Sequence, residues 1–109
     1  MEERKGETIL HKTKDYSINT IRPCATDTAK VRAEVKLSLP KPMTMDELKS
    51  HLKKQFKNMQ FAPNIRAVRI DWEGKVIILF DSGEMYVREA KNERDILETV
   101  QLVDRIIRT

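Results

Sequence analysis

The residue types that carry covalent or metal chemistry are few in this chain, and their spacing brings no set together. Of cysteine and histidine the 109 residues hold only Cys24, His11 and His51. A single cysteine permits no internal disulfide, and no histidine lies near it in sequence to activate the thiol. One cysteine with two histidines falls short of a recognisable zinc set. Gly74 and Gly83 are too isolated to build a phosphate-cradling loop. No Ser-His-Asp grouping and no carboxylate pair in an apolar setting is visible. The chain is therefore not expected to be an enzyme, and no metal, cofactor or small-molecule substrate is implied. What remains is the chemistry of charge. Lys49, Lys53 and Lys57 recur every fourth residue, with Lys54 beside them. A helix face carrying them is either simply solvated or a contact for phosphate or an acidic partner.

The charge is unevenly spread. The net charge is +4, but residues 1–60 hold thirteen Lys and Arg against eight Asp and Glu, whereas residues 61–109 hold eight against nine. The basic excess lies in the first half, and its physical implication is an anionic partner such as nucleic acid. Apolar residues make up 39% and charged residues 35%, with three Gly and four Pro. That composition is globular rather than disordered, and the length suits one domain. No run approaches the ~18 apolar residues of a membrane helix. Met1–Lys5 lacks the apolar core of a signal peptide, so a cytoplasmic protein is the expectation.

The elements that would position these residues follow from periodicity. Thr8–Lys12 and Tyr16–Ile21 read as two short strands, and Pro23–Asp27 as a loop. Val31, Ala33, Val35, Leu37 and Leu39 alternate with polar residues, the mark of a half-buried strand. Pro40 and Pro42 end it, since proline donates nothing to a ladder. Thr44 and Glu47 form a capping box. Met45, Leu48, Leu52, Phe56 and Met59 then give one helical stripe, which Ala62-Pro63-Asn64 closes. Ile65–Trp72 reads as a strand with Arg66, Val68, Ile70 and Trp72 on one side, Trp72 serving core or sheet-edge packing. Glu73-Gly74 fits a tight hairpin, and Asp81-Ser82-Gly83 a three-residue loop with Gly83 left-handed. Between them Val76–Phe80 is a strand. Glu84–Arg88 is another, with Met85 and Val87 facing one way and Tyr86 and Arg88 the other. Turns this short require an antiparallel meander. A last helix starts at the N-cap Asn92, with Ile96, Leu97, Val100, Val103, Ile106 and Ile107 as its buried stripe. Asp104 and Arg108 are spaced to pair along it. The expected fold class is α+β, an antiparallel sheet with two helices on one face in the order β-α-β-β-β-α. Residues 31–109 form this domain, and residues 1–30 an extension that adds a hairpin.

One strand breaks the alternation that such a sheet requires. In Val76–Phe80, Ile77 and Leu79 point one way while Val76, Ile78 and Phe80 point the other. If the helices cover the first set, three large apolar side chains remain opposite. Burying each stabilises by roughly 1.5–3 kcal/mol, and a small domain rarely leaves such a patch bare without use for it. Its cover is the N-terminal segment lying over or extending the sheet, a second copy of the chain, or a docked nucleic acid or protein.

The same stretch carries a resemblance. Val31-Arg32-Ala33-Glu34-Val35, Arg66-Ala67-Val68, Ile78-Leu79-Phe80-Asp81-Ser82-Gly83-Glu84-Met85 and Ala90-Lys91-Asn92-Glu93-Arg94-Asp95 keep the order and spacing of one repeat of the TATA-box-binding protein family. Residues 31–109 as a whole resemble such a repeat. The resemblance implies a curved antiparallel sheet backed by two helices, whose concave face binds the DNA minor groove. Phenylalanines in that family wedge between base steps. Phe80 falls where one wedge sits and Ile65 near another, while Tyr86 and Arg88 hold groove-facing positions. The chain also departs from the pattern. It has one repeat rather than two, so a complete saddle calls for a homodimer. Glu34 replaces an uncharged groove-facing residue, Glu89 replaces a glycine, and asparagines expected at the first strand are missing.

The functional expectation is a non-enzymatic binding module. Nucleic acid would be taken on the sheet face through Ile78, Phe80, Tyr86 and Arg88, or on a basic helix face through Lys49, Lys53 and Lys57. The alternative is a homodimeric protein-interaction or assembly subunit that binds no nucleic acid.

Overall fold

The computed structural model describes residues 11–25 and 27–108, so the reading of Thr8–Leu10 as part of a strand lies outside the described residues. The first elements are the strands β1 (His11–Lys12), β2 (Tyr16–Pro23) and β3 (Val31–Leu37), then the helix α1 (Met45–Leu52). They are followed by β4 (Met59–Ala62), β5 (Ala67–Trp72), β6 (Lys75–Phe80), β7 (Glu84–Ala90) and the helix α2 (Glu93–Ile107). The strands form one open antiparallel sheet in the order β1-β2-β3-β7-β6-β5-β4. The class is α+β, as the periodicities imply.

Both helices pack on the same face of the sheet. Ala33, Val35 and Leu37 of β3, Val68 and Ile70 of β5, Ile77 and Leu79 of β6, and Met85 and Val87 of β7 share one core with both helices. Leu48 and Leu52 come from α1, and Ile96, Val100, Val103 and Ile107 from α2. The capping box is formed: Thr44 Oγ1 accepts the Glu47 N–H at 3.1 Å, and Glu47 Oε1 accepts the Thr44 N–H at 2.9 Å. That return bond chiefly holds the Glu47 carboxyl below its usual value, with a further push from Lys41. At the far end of α2, Arg108 pairs with Asp104 at 2.7 Å and donates to the carbonyls of Asp15 and Ser38. The helix terminus is thereby tied to the segments flanking β2 and β3.

Two sequence readings are corrected. The first helix stops at Leu52 rather than running through Met59. Continuing it would stack Lys49, Lys53 and Lys57 at i,i+4, and like charges at that spacing disfavour a helix. The chain instead tightens, Gln55 N–H bonding the Leu52 carbonyl at 3.1 Å. Phe56 stays in the core off the helix, edge-on to Trp72 at 5.1 Å. The order therefore holds a strand that the expected β-α-β-β-β-α order lacks. Met59–Ala62 becomes β4, pairing Met59 with Ile70 and Phe61 with Val68. Ala62-Pro63-Asn64 opens the β4–β5 turn rather than closing a helix, Ile65 N–H bonding the Ala62 carbonyl at 3.2 Å. The second correction is Arg66. It precedes β5 in a left-handed conformation (φ 57°) and is exposed, instead of sharing the buried side with Val68 and Ile70.

The N-terminal segment extends the sheet. From residue 11 on, it forms β1 and β2 beside β3, with Tyr16 opposite Leu37 and Pro23 opposite Val31. Two irregularities shape the sheet there. In β2 the register shifts between Ile18 and Thr20, so Ile18 and Ile21 both face the core while Thr20 lies opposite Glu34 on the other face. In β7 the pairing jumps from Val87 opposite Ala33 to Ala90 opposite Val31. The extra residue is accommodated by Glu89 at φ 62°, a left-handed bulge conformation usually given to glycine.

Candidate functional site

The face of the sheet away from the helices is built in rows, because antiparallel register sets side chains directly opposite one another. One row runs Gln60, Arg69, Ile78, Tyr86, Glu34, Thr20 across six strands. Two residues along, roughly 7 Å by strand rise, a second row begins with Asp71 opposite Val76 and Val76 opposite Arg88. Past the bulge it resumes with Arg32 opposite Arg22. A hollow of about 350 Å³ lies over the β2, β3, β7 and β6 portions, lined by Thr20, Arg22, Arg32, Glu34, Tyr86 and Arg88 together with Ile78.

The electrostatics of this hollow are unbalanced. Arg22, Arg32 and Arg88 are exposed and come from three neighbouring strands. Neither they nor Glu34 makes an ion pair or side-chain hydrogen bond among the described residues. Like charges placed opposite each other across a ladder destabilise it. Elsewhere on the face the charges are matched: Arg69 meets Asp71 at 3.2 Å, Lys36 lies opposite Glu84, and Arg66 bonds the buried Asp81.

Beside the arginines is the apolar strip. Val76, Ile78 and Phe80 are half-buried on this face, while Ile77 and Leu79 are sealed in the core. Phe80 meets Tyr86 edge-on, with ring centroids 6.2 Å apart, and Tyr86 remains 39% exposed. Ile65, 59% exposed, lies in the β4–β5 turn, whose Arg66 carbonyl accepts the Asp81 N–H. The structure thus brings Ile78, Phe80, Tyr86 and Arg88 onto one continuous surface.

The basic residues of the first helix lie elsewhere. Lys49 is on α1, with its ammonium 5.5 Å from the Phe61 ring centroid. Lys53 is the C-cap residue, and Lys57 lies beyond the helix. All three are exposed but form no single helical row, and α1 packs against the opposite face of the sheet.

Sequence reasoning missed Arg22 and Arg32 as companions of Arg88. Arg32 had a signal, since alternation along β3 sets it opposite the core residues. Arg22 had none, because a strict period of two counted from Tyr16 and Ile18 would turn it inward. Cys24 is buried beside the outer end of the row. Among the described residues no group of three or more His, Cys, Asp or Glu is disposed to hold a metal, and no helix is long and apolar enough to cross a membrane. No family model matches the chain, and no curated protein or solved structure matches it.

Proposed function

We propose that this chain is a non-enzymatic module that binds nucleic acid on the open face of its sheet. The observation that carries the reading is the row Arg22, Arg32, Arg88, none of them in an ion pair among the described residues, beside the half-exposed Ile78, Phe80 and Tyr86. Guanidinium groups take phosphate oxygens bidentately, and aromatic rings offer stacking surfaces. The resemblance to a TATA-box-binding repeat supports the same face as the binding surface, with Phe80 on it. Lys49, Lys53 and Lys57 are a separate basic surface behind the sheet.

The test is a fluorescence-anisotropy titration with double- and single-stranded oligonucleotides at low and moderate salt. Affinity is expected to fall as salt rises, because phosphate contacts release counterions. Arg32→Ala and Arg88→Ala are each expected to weaken binding and reduce the salt slope by about one. Binding absent from every oligonucleotide, or indifferent to salt, overturns the reading. The half-buried strip Val76, Ile78 and Phe80 favours a second reading, a homodimeric assembly subunit joined through this face. Light scattering that finds a dimer, with no oligonucleotide bound, would support it.

A further inference from the structure

We infer that the hollow on the open face is a pocket for one unpaired guanine of a single-stranded nucleic acid. This rests on the nucleic-acid reading above and specifies it. The two rows set a base-sized reading surface beside a cationic rail. Tyr86 and Glu34 are directly opposite on adjacent strands, and Thr20 is opposite Glu34. Two residues along, Arg88, Arg32 and Arg22 form the rail. The roughly 7 Å between rows suits a nucleotide whose base lies on one row and whose phosphates lie on the other.

Glu34 decides both strandedness and base. An ionised carboxylate is acceptor-only. It shares the hollow with three arginines, yet makes no ion pair with them. Against a duplex, whose phosphates edge both grooves, such a group is repelled. Against a splayed base it meets the Watson–Crick edge, which only an unpaired strand exposes. Guanine alone among the common bases offers two adjacent donors there, N1–H and N2–H, matching the two carboxylate oxygens. The other bases set an acceptor next to their donor. Tyr86, 39% exposed and braced edge-on by Phe80, supplies the ring against which the base packs. Thr20 is buried at the floor of the hollow.

The experiment compares labelled thymidine strands of about ten nucleotides that carry centrally a guanine, a hypoxanthine, which lacks the N2 amino group, or a further thymine. A duplex of the guanine strand is the fourth probe. The guanine strand is expected to bind about tenfold tighter than the all-thymine strand, with the hypoxanthine strand losing most of that gain and the duplex binding more weakly than the single strand. Glu34→Gln should erase the guanine preference while the strands still bind, since the arginine rail remains. Glu34 is exposed, so a circular-dichroism melt should show the variant folded. Equal affinity for strands with and without guanine, or tighter duplex binding, overturns this inference while leaving the broader reading standing. Failure of every probe to bind overturns both.

Discussion

At the scale of single residues, Lys75 is a cation held almost wholly inside the protein, 3% exposed on the core side of β6. Its ammonium reaches Asp95 at 3.1 Å in the first turn of α2, and Glu73 more distantly at 3.8 Å. Burial raises the Asp95 carboxyl, but the Lys91 N–H bond and the Lys75 charge outweigh it, and the group titrates below its usual 3.8. A folded value below the unfolded one means stability that is present above pH 3.8 and lost as pH falls through the folded value. Asp95→Asn should therefore destabilise by about 3 kcal/mol at neutral pH, because it strands a buried charge. The variant should also lose less on acidification than the parent, as read from urea midpoints at neutral pH and at about pH 3. Gly83 and Gly74 separate two kinds of glycine requirement. A Cβ at Gly83 (φ 101°) would stand 2.5 Å from the Leu37 carbonyl oxygen, whereas one at Gly74 (φ 79°) would meet nothing within 4 Å. Gly83→Ala is expected to cost about 3 kcal/mol, strain plus collision, and Gly74→Ala about 1 kcal/mol, strain alone. Denaturant titrations of the two variants check the difference.

At the scale of elements, the junction after α1 holds the largest discrepancy between pattern and structure. Phe56 keeps the i+4 spacing from Leu52 and is 2% exposed, but it reaches the core from a turn and rests against Trp72. Phe56→Ala should cost about 3–4 kcal/mol through the cavity it leaves. The emission of Trp72, the chain's one tryptophan, should shift to the red as its packing partner disappears. Apolar spacing alone cannot tell a helix from a turn that ends in a short strand, because Phe56 and Met59 are inward-facing in both. The register of Met59–Ala62 against β5 supplies what the spacing lacks, a hairpin pairing across residues 63–66 that apolar spacing does not encode. The strands with strict alternation or tight turns were legible throughout: β3, the Glu73-Gly74 hairpin with both residues left-handed, and β7 with Tyr86 and Arg88 outward. β2 was faint for a physical reason. Its inward residues Ile18 and Ile21 are three apart across a bulge, which erases the period of two.

At the scale of the whole molecule, two helices on one side of a seven-stranded open sheet leave the other side without a layer among the described residues. The outer strand β4 is four residues long, which limits edge-to-edge pairing on that side, so there the face rather than the rim is the surface available for association. Phe80→Ser is expected to reduce association with nucleic acid, or with a second copy, more than it lowers the melting midpoint. A variant that loses cooperative melting would instead place Phe80 within the packing of the monomer. The two apolar faces of Val76–Phe80 were readable from five consecutive residues, and so was the outward placement of Ile78 and Phe80. The cationic rail was not, since it draws Arg22 from a strand whose place beside β3 no local pattern specifies.

The offset at Asn19 reaches further than the geometry of one strand. Because the bulge absorbs one extra position, Thr20 and Arg22 point outward at this chain length only while the bulge is kept. Loss of the codon for Asn19 would leave Ile18 and Ile21 inward and Thr20 and Arg22 outward in plain alternation, so the rail would survive without the bulge. Kin of this chain that lack that one residue would share both its core and its electrostatic face, with a less twisted strand between them.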